Sequence, residues 1–141
     1  MMTADLEEVR IRQRIVDDLL AQASDEAPNE CCGLLLGHSD VVEYARRARN
    51  LHESPSRFLI DPADHFAAMR EAREAGLRVI GAYHSHPHSP PVPSETDLAE
   101  AIDTELLHVI VSPGTRDAPG QARGFRILDG NFREVRLVLV A

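Results

Sequence analysis

Apolar residues recur at Ile15, Val16, Leu19, Leu20 and Ala23, the spacing of one helix face, and predict a helix over 12–27 that stops at Pro28-Asn29. Ahead of it, residues 6–11 (LEEVRI) alternate weakly and predict a short strand. Residues 32–37 (CGLLLG) are a continuous apolar run bounded by turn residues, the pattern of a buried strand. Residues 41–48 read as its hairpin partner, with His38-Ser39-Asp40 as the turn, and Arg57-Phe58-Leu59-Ile60 predicts another short strand.

The next element has sharp boundaries. Asp61 suits an N-cap, Pro62 the first helical position, and Asp64 lies three residues after the cap. This helix carries Phe66, Met69 and Ala72 and stops at Gly76, a C-cap residue. A strand over 77–83 follows and leads into His84 and His86. Residues from Ser94 to about Thr104 predict a helix, 106–111 a buried strand, and 124–128 with 132–140 a hairpin around Asp129-Gly130-Asn131. The order β-α-β-β-β-α-β-α-β-β-β predicts a single mixed α/β domain over 1–141, with a central sheet flanked by helices.

With 141 residues, 43% of them hydrophobic, the chain can bury a substantial core. Its net charge of -8 and pI near 5.3 give it no general attraction for phosphate backbones or anionic lipid, so neither nucleic acid nor membrane is an expected partner. No apolar run approaches a membrane-spanning length, and the acidic start 1–8 lacks the regions of a signal peptide. The two cysteines, Cys31 and Cys32, are adjacent, a geometry that disfavours a disulfide and fits a reducing compartment. A cytoplasmic protein is expected. The C-terminal strand is apolar to its end and must be covered, but whether by this chain or another is open, and with it the oligomeric state.

Candidate chemistry concentrates in His84-Ser85-His86-Pro87, followed by Ser94 and Asp97. Residues two apart on an extended strand leave one face, so His84 and His86 can share a metal ion. Pro87 ends the strand, the proline-rich loop 88–93 is stiff, and a helix starting at Ser94 returns Asp97 towards the histidines. Three protein ligands with a vacant fourth position is the pattern of a catalytic zinc site. Two neutral imidazoles and a carboxylate leave bound Zn²⁺ about one positive charge, enough to polarise a carbonyl and acidify a water. The same residues also read as a polar loop followed by an N-cap with an acidic residue at N3, which needs no metal. Glu30, at the mouth of the apolar strand 32–36, is a candidate base for a water and acid for a leaving amine, or simply a loop carboxylate.

Taken together these residues resemble the JAMM, or MPN-plus, zinc isopeptidase family. Its pattern is a glutamate just ahead of a Gly-x-Leu-x-Gly strand, then His-[Ser/Thr]-His-Pro, six residues, Ser, two residues and Asp. The chain reads Glu30, Gly33-Leu34-Leu35-Leu36-Gly37, then His84-Ser85-His86-Pro87, six residues, Ser94, two residues and Asp97. The segment 50–62, with Phe58-Leu59-Ile60-Asp61-Pro62, is similar to short prokaryotic members. The resemblance implies a curved mixed sheet like that of cytidine deaminases. It also implies His84, His86 and Asp97 as zinc ligands, Glu30 as general base and Ser94 as oxyanion donor. The implied substrate is an amide bond after the C-terminal Gly-Gly of a ubiquitin-like or sulfur-carrier protein. Two other functions stay open at this stage: a non-catalytic binding or scaffold module of the same fold, and a zinc hydrolase of a small molecule or free peptide.

The remaining candidates read more plainly. His88 is a rim residue, and His38, His52, His65 and His108 are surface or helix-face residues. Cys31 and Cys32, with apolar neighbours, are buried inert thiols. Arg46, Arg47 and Arg49 form a solvated edge.

Overall fold

The computed structural model describes residues 6–101 and 105–141. Seven strands close a barrel in the order β1-β3-β2-β4-β5-β6-β7, with β7 returning to β1. In chain order the elements are β1 (Glu8–Arg12), α1 (Gln13–Glu26), β2 (Cys32–His38), β3 (Val41–Ala48), α2 (Pro62–Glu74), β4 (Arg78–Ser85), α3 (Glu95–Ala99), β5 (Leu107–Ser112), β6 (Gln121–Leu128) and β7 (Asn131–Val140). Pairings β1/β3, β1/β7 and β4/β5 are parallel and the rest antiparallel, so the sheet is mixed as expected. It is curved, as the resemblance implies, and the curvature goes on until the sheet closes.

The unbroken apolar run of β2 follows from burial on both faces. Leu35 joins Val9, Ile11, Tyr83, Val109 and the α1 stripe Ile15, Val16, Leu19 and Ala23 in one core. Leu34 and Leu36 point the other way, into a second core with Ala82 and the α2 residues Ala68 and Ala72. Gly33 is required by close approach: a Cβ there would run into the Tyr83 ring and the Arg46 carbonyl.

α2 begins where its sequence signals place it. The Asp61 side chain accepts from Ala63 N–H at 2.9 Å, with Pro62 in the first turn. Its end is shifted by one residue, since Ala75 is the cap and Gly76 follows at φ 73°, the left-handed conformation glycine tolerates.

Three expectations are corrected. Arg57-Phe58-Leu59-Ile60 is not a strand; its one backbone bridge pairs Ile60 with Asn50, outside the barrel strands. Its side chains pack onto the barrel instead of its backbone joining a ladder: Phe58 stacks on His84, and Ile60 lies against the second core. The helix after Ser94 has five residues and is capped at Glu100; of the expected extension to Thr104, residues 102–104 lie outside the described residues. β6 starts at Gln121, three residues before the expected Gly124, because pairing with β5 extends to Ser112. The question of what covers the C-terminal strand is answered within the chain, since β7 pairs with both β6 and β1.

Candidate metal centre

β4 delivers the two histidines. His84 is its penultimate residue, and His86 lies one step past its end, where its N–H still bonds the Val111 carbonyl at 2.8 Å. Ser85 between them points to the opposite side and is fully buried. The Ser85 hydroxyl accepts from Cys31 N–H at 2.8 Å, and the Ser85 N–H donates to the Cys31 carbonyl at 3.0 Å.

α3 brings in Asp97. Its cap is a capping box: Ser94 Oγ accepts from Asp97 N–H at 3.0 Å, and the Asp97 carboxylate accepts from Ser94 N–H at 2.8 Å. Cap and cluster are thus the same residues. Asp97 Oδ2 is 3.1 Å from His86 Nε2, Asp97 Oδ1 is 3.3 Å from His84 Nε2, and the two Nε2 atoms are 3.2 Å apart. The ligand atoms all lie within 4.8 Å of one another, and all three residues are buried.

The donor set fits a cation. His86 Nδ1 lies 2.9 Å from the Pro90 carbonyl. A carbonyl only accepts, so Nδ1 carries the hydrogen and the neutral ring offers its Nε2 lone pair to the cluster. Two imidazole lone pairs and a carboxylate at about 3 Å separation repel one another unless a positive charge sits among them. Where no cation sits there, a hydrogen on a histidine Nε2 takes its place, and the ionisation directions belong to that form. Burial works to raise Asp97, but hydrogen bonds from His84 and His86 hold it far below the usual carboxylate range. Burial lowers His84, whereas in His86 the burial effect is overcome by the bond to Asp97, which raises it.

Glu30 stands at the entrance of β2. Cys32 is paired with His84 and Cys31 bonds Ser85, so continuing the ladder sets Glu30 beside His86. Glu30 is 3% exposed, and its Oε1 has no hydrogen-bond partner among the described residues. Burial pushes its carboxyl up to about 7; Asp97 and Glu100 add to the rise and His86 opposes it. Ser94 is exposed at the rim of the cluster.

The sequence reasoning missed two parts of this neighbourhood. The Phe58 ring stacks on His84 with centroids 4.2 Å apart and planes at 16°. Asn50, 6% exposed, bonds the backbone around it on several sides. Neither belongs to a periodic pattern, and only the likeness of segment 50–62 to short prokaryotic family members pointed towards them.

The other candidates fall away from the centre. Cys31 and Cys32 are buried free thiols, and burial raises them to about 11 and about 12, so they are poor nucleophiles. His38 lies 3.8 Å from Glu43 on the surface. His108, expected on the surface, is on β5 and half-buried, edge-on to Phe132 with centroids 5.5 Å apart. The basic run is not simply solvated: Arg46 pairs with Asp64 and Glu71 and ties β3 to α2.

A mixed barrel that presents a His-His-carboxylate cluster at one strand end, with a buried glutamate across the ladder, is the framework of a JAB/MPN-type hydrolase. The chain matches the family described as prokaryotic homologs of the JAB domain over residues 12–127, and it belongs to that family. It is 34% identical over 108 residues to the desampylase of Haloferax volcanii, covering 74% of this chain and 78% of that one. To the CysO-cysteine peptidase of Mycobacterium tuberculosis it is 32% identical over 127 residues, covering 88% and 86%. A Desulfitobacterium hafniense protein solved in solution has the same fold, with a TM-score of 0.85 at 31% identity over 94% of this chain and 92% of that one. No helix among the described residues is long and apolar enough to cross a membrane.

Proposed function

We propose that this protein is a zinc-dependent peptidase that hydrolyses the amide bond after the C-terminal Gly-Gly of a ubiquitin-like or sulfur-carrier protein. The observation that carries the reading is the cluster of His84, His86 and Asp97 with a buried carboxylate beside it whose Oε1 has no hydrogen-bond partner among the described residues. A relative named a desampylase and one named a CysO-cysteine peptidase support the substrate class. The adjacent buried thiols fit a reducing compartment, the cytoplasm.

His84 Nε2, His86 Nε2 and an Asp97 oxygen are the ligands. When bound, zinc supplies Lewis-acid polarisation of the scissile carbonyl and lowers the pKa of a coordinated water. Glu30, with a carboxyl near 7, is the general base: it takes one proton from the attacking water and passes it to the leaving nitrogen as the C–N bond breaks. Ser94 Oγ accepts from Asp97 N–H, which leaves its own hydrogen to donate to the carbonyl oxygen as negative charge builds there. Phe58 covers one face of His84 and excludes water from that side.

The test compares turnover of a Gly-Gly carrier bearing an added amino acid with turnover of a short Gly-Gly peptide, in zinc-loaded and chelated protein. The carrier adduct should be cleaved far faster, and chelation should abolish cleavage. Glu30→Gln should keep one zinc per chain yet lose nearly all turnover, while His86→Ala should lose the metal. Zinc-free purified protein that zinc does not activate would overturn the site. Equal turnover of the free peptide would overturn the carrier as substrate.

A further inference from the structure

The segment between β3 and α2 has no regular structure beyond one bridge, yet it carries the ring that stacks on His84 and brackets the backbone of Glu30. One side chain ties several of its parts together. Asn50 Nδ2 donates to the Glu30 carbonyl at 3.1 Å and to the Arg57 carbonyl at 3.0 Å. Asn50 Oδ1 accepts from His52 N–H at 3.0 Å and from Leu59 N–H at 2.9 Å. A carboxamide has two donor hydrogens and two acceptor lone pairs, and here all four are used. The partners also fix which end is oxygen, because two are carbonyls and two are N–H groups.

The four bonds join parts of the site that no strand connects. Arg57 and Leu59 flank Phe58, so the amide holds both shoulders of the residue stacked on His84. Its other bond reaches Glu30, whose own N–H donates to Ser54 O in the same segment at 2.8 Å. Glu30 is therefore bound through its carbonyl and its N–H to the loop that packs against the metal ligand. From this geometry we infer that Asn50 is a positioning residue, setting the Glu30 carboxylate in register with the His84 side of the metal centre.

No other side chain meets the requirement. Aspartate has the same shape and keeps both acceptors, but it lacks donors and turns a charged oxygen towards two carbonyls. Alanine leaves four backbone groups without their partner, the Glu30 carbonyl among them buried, and glutamine is one methylene longer in a space where Asn50 is 6% exposed.

The inference rests on the proposed peptidase reading, and the experiment separates the two. Zinc-loaded wild type, Glu30→Gln, Asn50→Asp and Asn50→Ala are assayed on the carrier adduct, with kcat, KM, zinc stoichiometry and thermal midpoint measured for each. Both Asn50 variants are expected to retain one zinc and a KM within about twofold. Their kcat should fall about 10²-fold, the scale of a 1 Å misplacement of a catalytic group. A lower thermal midpoint with unchanged kcat would make Asn50 merely structural and overturn the inference while leaving the peptidase standing. An inactive wild type would instead fail the peptidase reading. Wild-type hydrogen exchange gives a result independent of folding in the variants. The His52 and Leu59 amides should exchange slowly, and exchange at the rate of a free loop amide would overturn the clasp.

Discussion

The carboxyl of Glu30 is kept from water at the edge of a cluster that itself needs positive charge, and burial is the main reason it rises to about 7 from an ordinary value of 4.5. A raised carboxyl pKa means that the folded protein binds this proton more tightly than the unfolded chain does. Its stabilising contribution is complete below pH 4.5 and is lost as pH rises through about 7. Glutamine has the same shape and does not titrate. In chelator, the thermal midpoint of Glu30→Gln should therefore draw ahead of wild type between pH 4.5 and 7.5, and the gap should close again at low pH. Parallel midpoint curves for the two proteins would show that the carboxyl is not held in a desolvated place. Bound zinc would lower the Glu30 pKa by its charge, so the gap should narrow when metal is restored. In the proposed role of general base, catalysis and stability would pull this residue in opposite directions. The residue was legible only through its company: Glu30 alone is a loop carboxylate, and its role comes from ladder register with a motif more than fifty residues away.

At the scale of elements, the end of β4 shows why a hydroxyl stands between the two histidines. Alternation sends His84 and His86 to one face and Ser85 to the other, where its Oγ is the acceptor for Cys31 N–H, one residue from Glu30. Ser85→Ala would leave that buried N–H unsatisfied, at a cost of about 1–3 kcal/mol. The urea midpoint should fall accordingly with the m-value unchanged, while the zinc content stays at one per chain, since both histidines remain on β4. An unchanged midpoint would mean that water or a shift of the strand replaces the hydroxyl. Sequence signals did well where local chemistry decides the outcome. The Asp61-Pro62 start of α2 and the stripe on α1 are there because capping and helical spacing act within a few residues. Segment 57–60 misled because its apolar run reads as a strand, whereas Asn50 and the stack on His84 decide its path from outside it. Asp97 reads as either the N3 residue of a cap or a partner of the two histidines. One of its carboxylate oxygens faces Ser94 N–H and His86 together, so the cap and the candidate metal cluster share that residue.

For the whole molecule, the decisive contact is the seam between the first strand and the last. β1 runs parallel to β7 from Glu8 opposite Arg136 to Arg12 opposite Val140, and β1 also meets β3, which closes the barrel. A parallel pairing between the first and last strands leaves no trace in periodicity, which is why the closure of the curved sheet was not legible in the sequence. What the seam encloses is shared: Val9 and Ile11 of β1 pack in one core with Leu35 of β2 and Tyr83 of β4, the strands that lead to Glu30 and His84. A defect at the seam should therefore be felt by the molecule as a unit. Ile11→Ala, at a fully buried position, should cost about 2–5 kcal/mol. Leu139→Ala, in β7 but half exposed, should cost well under half as much. Measured by denaturant, both variants should unfold in a single transition that releases zinc at the same midpoint as the loss of secondary structure. If Ile11→Ala instead frayed first at its terminal strands, with the metal retained to a second and higher transition, the barrel would not be one cooperative unit. The metal centre would then stand on β2, β4 and α3 alone.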